Sequence, residues 1–500
     1  MTTTLLFFSD TMTPRLRYTV ASIVGQLLGI NIVFTQDKNQ FIVPNLPKIN
    51  YSKTRLSMNE LFVETHDLLF DNTIKPYLIE NEGDFFANTN TSNTADFDFD
   101  VFARIFFLVS RYEEYKRDPS VFDAHLRFPS TQSVAFKLDF LQQPLVNQYV
   151  ITLSEKLKSR FPDVVVQLPT YRFQPTFDID RAWLYRNLGF GRNLGGLLKD
   201  ILRGQFKNGL KRVNILRGLA DDPYFTFDDI QKLHQEYGLS LVVFWLLGDY
   251  GKYDKSIAWT NPEFQALIQT FDAHFKMGIH PSYRANDDIL ILEKEVNHLK
   301  AIKYRRNVEF KGCEKGNREE KGDRSKKGDR EGRPYERTDA ECRGDLHGRP
   351  CLHGRPCLHG HPCLHGRPFP SRQHFLKLTF PETYRRLLAV GISEDWTMGY
   401  ADDTGFRASI AAPFPWFDLE KNEETHLIIH PFQAMDVTLN NYLKLSPEAA
   451  TERLRTLIYT CKKVGGTFTT LWHNDNLAEI DGWKGWKAVY ERLLTNASDK

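Results

Sequence analysis

Cysteine is nearly missing from most of this 500-residue sequence. Only Cys461 lies outside residues 306–370, and the other five cysteines fall within that interval. A body with a single cysteine cannot form an internal disulfide, which excludes a disulfide-stapled scaffold and favours a reducing compartment. The clustered cysteines are Cys313, Cys342, Cys351, Cys357 and Cys363.

Long apolar runs are missing as well. No stretch approaches the ~18 consecutive apolar residues that a membrane-spanning helix needs. The amino terminus has a run of only four apolar side chains, at positions 5–8, and no basic flank, so it does not have the pattern of a secretory signal. We therefore expect a soluble, cytoplasmic protein without a membrane span.

The chain also lacks a strong charge of one sign. Its net charge is +2, and residues 306–370 hold 15 Lys/Arg against 11 Asp/Glu. That leaves 50 of the 65 basic residues and 52 of the 63 acidic residues elsewhere. A nearly neutral body gives no sign of nucleic-acid binding.

Residues 306–370 differ in kind from the rest. Residues 311–343 mix charges with glycine, and a Cys-Leu-His-Gly-Arg-Pro repeat then begins at 351, 357 and 363, with His361 replacing Arg in the second copy. Such low hydrophobicity cannot offset the entropy lost on ordering, so we predict a disordered insert. Its Cys and His residues permit metal binding, but their spacing matches no zinc module.

The patterns on either side of the insert predict two to three domains. In residues 1–170, strands at 5–8 and 31–35 flank a helix at 14–28, with Thr13 as its N-cap and Pro14 in its first turn. We predict an α/β domain with a structural or substrate-positioning role, because it has no nucleophile constellation or phosphate loop. Residues 171–305 and 371–490 alternate buried strands with helices, which predicts a parallel sheet or barrel.

A basic segment at residues 187–218 interrupts this alternation. We interpret it as an insertion or helical arm. Its Gly-Phe-Gly-Arg-Asn-Leu-Gly sequence resembles a dinucleotide fingerprint, but it does not open a helix directly after a strand. We therefore predict a loop there rather than a phosphate site.

Two carboxylates stand at the end of the first predicted strand after residue 170. Asp178 and Asp180 are two residues apart, so in an extended strand both side chains project to one face. Two like charges this close favour a shared cation or the protonation of one carboxylate. The alternative is a pair of solvated acids on an edge strand.

His280 and His473 also end predicted strands. In parallel α/β folds the chemistry lies at the carboxyl ends of the strands, so we expect both imidazoles to meet Asp178 and Asp180. Asp and His suit zinc or a similar ion, while a second carboxylate could accept a proton and a His across the pocket could donate one. The pattern predicts metal-assisted hydrolysis of an amide or ester.

Five short motifs then occur in the order found in polysaccharide deacetylases. They are Thr-Phe-Asp-Ile-Asp at 176–180, Gly-Ile-His-Pro-Ser-Tyr at 278–283, Ser-Arg-Gln-His at 371–374, Glu-Asp-Trp at 394–396 and Leu-Trp-His at 471–473. The chain resembles carbohydrate esterase family four over about residues 170–480, and in particular a bacterial subgroup with an extra N-terminal α/β domain. The resemblance implies a distorted (β/α)7 barrel, interrupted here by the insert, that removes acetyl groups from sugars using a divalent metal, expected to be zinc, with cobalt or nickel as alternatives.

Carried over residue by residue, the resemblance makes Asp180 and His280 metal ligands. The family's second metal-binding His stands four residues after the first, but Arg284 occupies that position here. His374, beside the third motif, could supply the missing ligand.

The resemblance also implies a set of catalytic residues. Asp178 would be the general base, steadied by Arg372, and His473 would be the general acid, supported by Asp395. The substrate pocket would be lined by Trp396 and Tyr283.

Two other functions remain open at this point. A barrel that has kept its shape without the metal would bind a glycan, and a related scaffold would hydrolyse small cyclic or linear amides. For the deacetylase and for the glycan-binding barrel we expect a carbohydrate partner. The sequence does not indicate an oligomeric state.

Overall fold

The computed structural model describes residues 3–42, 46–88, 95–115, 118–309 and 369–498. Most of the predicted disordered insert, residues 310–368, lies outside the described residues, so its disorder stays a prediction. Among the described residues, no helix combines the length and the apolarity that crossing a bilayer requires.

The amino-terminal region contains a four-stranded parallel sheet with the order β2-β1-β3-β4. The predicted first helix forms as one run, α1, whose first turn is capped by Thr13 Oγ1 accepting from the Leu16 amide, 3.1 Å away. The strands are β1 (Thr4–Phe8), β2 (Asn31–Thr35), β3 (Lys48–Ser52) and β4 (Leu61–Glu64), and α1 passes through Pro14–Arg17, a π-helical Tyr18–Gly25 and Gln26–Leu28.

A second sheet of nine strands has the order β10-β11-β9-β8-β7-β6-β5-β13-β12. All of its pairings are parallel except the β10–β11 hairpin, which confirms the predicted parallel sheet. Among the described strands β10 and β12 end the order, so closure into a barrel stays a prediction. The strands are β5 (Arg172–Ile179), β6 (Val242–Leu246), β7 (Lys276–His280), β8 (Pro370–Ser371), β9 (Glu394–Asp395), β10 (Phe414–Asp418), β11 (Glu423–Ile429), β12 (Ala434–Met435) and β13 (Thr467–His473).

The remaining helices fall before, between and after these strands. They are α2 (Lys38–Ile42), α3 (Val101–Val109), α4 (Val134–Lys137), α5 (Leu145–Arg160), α6 (Phe190–Leu202), α7 (Phe206–Leu216), α8 (Phe227–Tyr237), α9 (Pro262–Asp272), α10 (Ile289–Glu309), α11 (Glu382–Ala389), α12 (Pro447–Lys463) and α13 (Trp486–Ala497).

The apolar core is continuous from the first sheet to the second. Strand β6, Val-Val-Phe-Trp-Leu, is buried along its whole length, as expected of a parallel strand covered on both faces. The described residues before and after the insert accordingly belong to one compact unit. A division at residue 170 into separately folding domains stays a prediction.

The structure corrects the prediction of a loop in the glycine-rich segment after residue 187. Gly189 adopts φ +82 and is followed directly by α6, which contains the other glycines of that segment. The apolar side chains of Phe190, Leu194, Leu198 and Ile201 recur at helical spacing but are exposed. Contacts of Arg192 with the Ser256 carbonyl and of Asp200 with Arg212 hold the helix despite the ~1 kcal/mol that each glycine costs. The helix does not directly follow β5, so the fingerprint still lacks the strand–turn–helix context of a phosphate site.

A buried ionic cluster joins the amino-terminal region to the part of the chain after the insert. The Glu114 carboxylate accepts from Nε of Arg111 at 2.7 Å and from Nε of Arg407 at 2.9 Å, and all three side chains are about 1% exposed. Arg111 also donates to the Arg407 carbonyl. Because the charges are paired and hydrogen-bonded, the cluster is stable only as a complete set.

Replacing Glu114 with Gln should lower the free energy of unfolding by about 3–5 kcal/mol, because the buried Arg407 guanidinium loses its carboxylate and Arg111 keeps only Glu113. Burial raises the pKa of Glu114, but Arg407 and Arg111 outweigh it and bring the pKa below its ordinary 4.5. The stabilisation is therefore full above pH 4.5 and is lost as the pH falls through the lower folded-state pKa. Urea unfolding above pH 4.5 and below the folded-state pKa of Glu114 measures both the loss of stability in the variant and its pH dependence.

Glu452→Gln is the matched control, because the Glu452–Arg455 pair lies on an exposed helix face. Exposed pairs of this kind contribute little to stability. Equal losses in the two variants would contradict a structural role for the buried cluster.

Candidate active site

The predicted site residues gather where β5, β7, β8 and β13 end. In a parallel sheet these ends share one edge, and the register pairs His473 with Asp178 and Ile279 with Ser371. The side chains surround a cavity of about 170 Å³. Its lining comprises Arg127, Asp178, Asp180, His280, Gln373, His374, Phe375, Leu376, Met435, Val437, Tyr442, Leu471 and His473.

Asp180, His280 and His374 form a tight cluster of possible metal ligands. One ligand atom from each lies within 4.8 Å of the other two. Nε2 of His280 is 3.3 Å from Asp180 Oδ1, and Nε2 of His374 is 3.3 Å from Asp180 Oδ2. His374 therefore lies where it could replace the second metal-binding His, which the resemblance would place at position 284. Arg284 itself is exposed and lines a neighbouring cavity.

The outer nitrogens of both imidazoles are held by acceptors. Nδ1 of His280 lies 2.6 Å from the Arg372 carbonyl oxygen, and Nδ1 of His374 lies 2.9 Å from Asp254 Oδ1. A carbonyl or carboxylate oxygen can only accept, so each Nδ1 carries the proton. In the neutral rings this leaves the Nε2 lone pairs aimed at Asp180, which is the tautomer that metal ligation requires.

The carboxylate between them fits a cation. Asp180 Oδ1 is buried, and among the described atoms no hydrogen-bond partner satisfies it, although His280 approaches. Burial alone raises the pKa of Asp180, but the imidazoles of His374 and His280 outweigh it and hold the pKa well below its usual range. Burial lowers the pKa of His374, while Asp180 and Asp254 raise it to about 9. The pocket thus favours positive charge opposite Asp180, which a divalent ion would supply.

Asp178 is paired with a fully buried arginine and borders the metal-ligand cluster, since its Oδ2 lies 3.7 Å from His280 Nε2. Arg372 Nη1 donates to Asp178 Oδ1 at 2.9 Å and to Thr176 Oγ1 at 2.6 Å, and its Nε donates to the Trp396 carbonyl at 2.9 Å. The ion pair fixes the direction of the Asp178 carboxylate. The predicted pairing of Arg372 with the candidate base is therefore present in the structure.

His473 lines the same cavity and pairs with Asp436. Its Nδ1 is 2.9 Å from Asp436 Oδ1, while its backbone amide and Asn476 Nδ2 both donate to Asp436 Oδ2 at 2.8 Å. Burial lowers the pKa of His473, but Asp436 raises it to about 10. The imidazole is thus kept protonated and oriented, with Nε2 left for the cavity.

Asp436 therefore occupies the supporting position that the resemblance assigned to Asp395. The Asp395 carboxylate instead accepts from the amide and hydroxyl of Thr397 at 2.9 and 2.8 Å. Burial raises the pKa of Asp395 to about 6. The predicted support of His473 by Asp395 is corrected: β9 places Asp395 beside Arg372, whereas β12 leads directly to Asp436 beside β13.

The two predicted pocket residues lie outside this cavity. Trp396 stacks on His430 with ring centroids 4.0 Å apart and lines a separate cavity of about 470 Å³. Tyr283 lines the cavity that contains Arg284, and its amide donates to Asp254 at 2.8 Å. Tyr283 thus acts on the site through the carboxylate that holds His374.

Sequence reasoning did not assign three residues at the site. Asp436 directly follows β12, and a position at a strand end is a usable signal, whereas Asp254 lies in a loop after β6 with no recognisable motif. Arg127, from the amino-terminal region, lines the cavity and donates to the Phe375 carbonyl at 3.1 Å and to the Tyr442 hydroxyl at 2.8 Å. The predicted substrate-positioning role of residues 1–170 thus has a candidate side chain.

The chain has limited similarity to known proteins. Residues 5–162 match a family of unknown function, DUF7033. No curated protein matches the chain. Among solved structures, a Mycobacterium smegmatis protein described as a candidate polysaccharide deacetylase is similar, with 11% identity over 66% of this chain and 85% of that chain and a TM-score of 0.36.

Asp254→Asn should weaken zinc binding by about 10- to 100-fold, because the neutral amide no longer orients and polarises His374. Asp180→Ala and His280→Ala should abolish stoichiometric binding, since each removes a ligand. Isothermal titration of metal-stripped protein with Zn²⁺ measures all three variants.

Asp436→Asn is the matched control, because it makes the same substitution in a buried Asp–His pair that does not include a proposed ligand. Its zinc affinity should equal that of the wild type. A loss as large as that of Asp254→Asn would show that the titration reports general damage to the pocket.

Proposed function

We propose that this protein is a metal-dependent hydrolase that removes acetyl groups from an N-acetylated sugar or polysaccharide. The observation that carries the proposal is the convergence of a three-ligand cluster, an arginine-paired carboxylate and an aspartate-paired imidazole on one cavity. These are the groups needed for metal-assisted cleavage of an unactivated amide. The run of parallel strands supports the distorted (β/α)7 barrel that the resemblance implies.

Asp180, His280 and His374 would hold the ion. Two imidazoles and one carboxylate match the three-ligand sets of catalytic zinc sites, and cobalt or nickel accept the same donors. When bound, the ion would act as a Lewis acid on the acetyl carbonyl group.

Asp178 is placed to accept a proton from the attacking water. Its pairing with Arg372 fixes the direction of the carboxylate, and Thr176 Oγ1 further holds the guanidinium in place. A carboxylate beside the reacting carbonyl can serve as a general base once it is held in this way.

His473 is placed to complete the reaction. Asp436 keeps its imidazole protonated, and the neighbouring strands β5 and β13 put His473 and Asp178 in register beside each other at the cavity. Transfer of the Nε2 proton to the departing nitrogen would break the carbon–nitrogen bond and release acetate and an amine.

The cavity admits a second candidate. At about 170 Å³ it is smaller than the ~300–1,000 Å³ of pockets that enclose a drug-sized ligand, so it fits an acetamido group or a small amide. A hydrolase of small cyclic or linear amides would use the same residues. Comparing acetylated oligosaccharides with small cyclic amides as substrates separates the two, because only a deacetylase releases acetate from the former.

Asp178→Asn and His473→Gln should each lower kcat for acetate release by about 10²- to 10⁴-fold, because each removes a proton-transfer group. Zinc stoichiometry should stay near wild type in both, since neither residue belongs to the ligand cluster. Acetate release from N-acetylglucosamine oligomers and elemental analysis provide the two measurements.

Arg284→Ala serves as the control, because this exposed residue occupies the position of the family's second His yet lines another cavity. Its activity should match the wild type. If Asp178→Asn and His473→Gln were as active as Arg284→Ala, the proposed proton transfers would be wrong. A wild type that takes up no metal but binds glycans would instead support the metal-free binding barrel.

A further inference from the structure

Helices α6 and α7 turn most of their large apolar side chains to solvent, although Ile215 of α7 is buried. Phe190 is 83% exposed, Leu202 is 86% exposed and Phe206 is 67% exposed. A surface helix normally packs its apolar face on the core, so this arrangement is inverted. Further exposed apolar residues on the two helices are Leu194, Leu198, Ile201, Leu210 and Leu216.

Polar contacts hold the hairpin, residues 187–218, in this orientation. Arg192 Nη1 donates to the Ser256 carbonyl at 2.8 Å, which attaches α6 to the body of the protein. Arg212 Nη2 reaches Asp200 Oδ2 at 3.1 Å, which attaches α7 to α6. Because the polar faces of the two helices make these contacts, most of the large apolar side chains remain exposed to solvent.

The exposed side of the hairpin is also strongly basic. Residues 187–218 contain seven Lys/Arg and one acidic residue, a net charge of +6 in a chain whose total is +2. Arg192 and Arg212 serve the attachment, and the other five basic residues are exposed. Lys207 and Lys211, both exposed, each follow an exposed apolar residue by one position and so flank the apolar stripe of α7. Large apolar side chains flanked by lysines are the composition of helices that lie in the interface of an anionic bilayer.

We propose that the α6–α7 hairpin docks this protein onto a membrane surface rich in anionic phospholipids. Phe190, Leu202 and Phe206 enter the boundary between headgroups and acyl chains, while the lysines contact lipid phosphates. The hairpin lies on the membrane rather than spanning it, because 13 residues of α6 are too few to cross ~30 Å of hydrocarbon. The charge complementarity favours lipid over a second copy of this chain, whose hairpin carries the same positive charge.

Cosedimentation with vesicles tests the proposal on the full chain. Wild type should bind phosphatidylcholine vesicles containing about 30% phosphatidylglycerol at least about tenfold better than pure phosphatidylcholine vesicles, and added salt should weaken the binding. Phe190→Ser/Leu202→Ser/Phe206→Ser and Lys199→Glu/Lys207→Glu/Lys211→Glu should each reduce binding by about tenfold or more.

Two controls match these variants. Lys158→Glu/Lys232→Glu/Lys421→Glu makes the same change in net charge at exposed positions elsewhere, and Met58→Ser/Leu78→Ser removes apolar side chains that are 88% and 78% exposed. Both should bind vesicles like the wild type.

Three results would overturn the proposal. One is no preference of the wild type for anionic vesicles. Another is an equal loss in the controls, which would show a general charge effect. The last is a dimer in lipid-free solution that both hairpin variants dissociate, because the apolar face would then belong to a second copy of the chain.

Discussion

The candidate site depends on one buried arginine. The Arg372 guanidinium binds Asp178 and Thr176, and its backbone carbonyl accepts from Nδ1 of His280. The same residue thus orients the proposed base and a proposed metal ligand, which belong to different strands. Burial lowers the pKa of Arg372 and Asp178 partly offsets this shift, so the buried guanidinium depends on its carboxylate partner. Arg372 directly follows β8, which neighbours β7, so the third motif lies beside the strand that ends in His280.

This geometry forms although the chain between the adjoining strands is long. Strands β7 and β8 pair at Ile279 and Ser371, and the chain between those residues contains α10 and the insert. The entropy of closing a loop grows only with the logarithm of its length, so a long connection costs about 2 kcal/mol more than a short one. The strand pairing, and with it the contact between His280 and Arg372, can therefore tolerate the insert.

The sequence predicted those features that depend on local pattern. Apolar runs located the central strands, and Asp178, His280 and His473 followed because parallel strands end at one edge. Asp254 could not be predicted, because it lies 120 residues from His374 and only the tertiary fold brings them together. The exchange of Asp395 for Asp436 has a similar cause: strand order, which the sequence does not state, decides which acid adjoins His473. In α6, glycine content suggested a loop where helical periodicity prevailed.

The most direct test is a crystal structure of the zinc-soaked protein with anomalous data collected on both sides of the zinc absorption edge. The account predicts one strong anomalous peak bounded by Asp180 and by Nε2 of His280 and His374, with Asp178 still bound to Arg372. A peak elsewhere, or none at a zinc concentration that saturates the titration, would contradict the proposed metal centre and the hydrolase built on it.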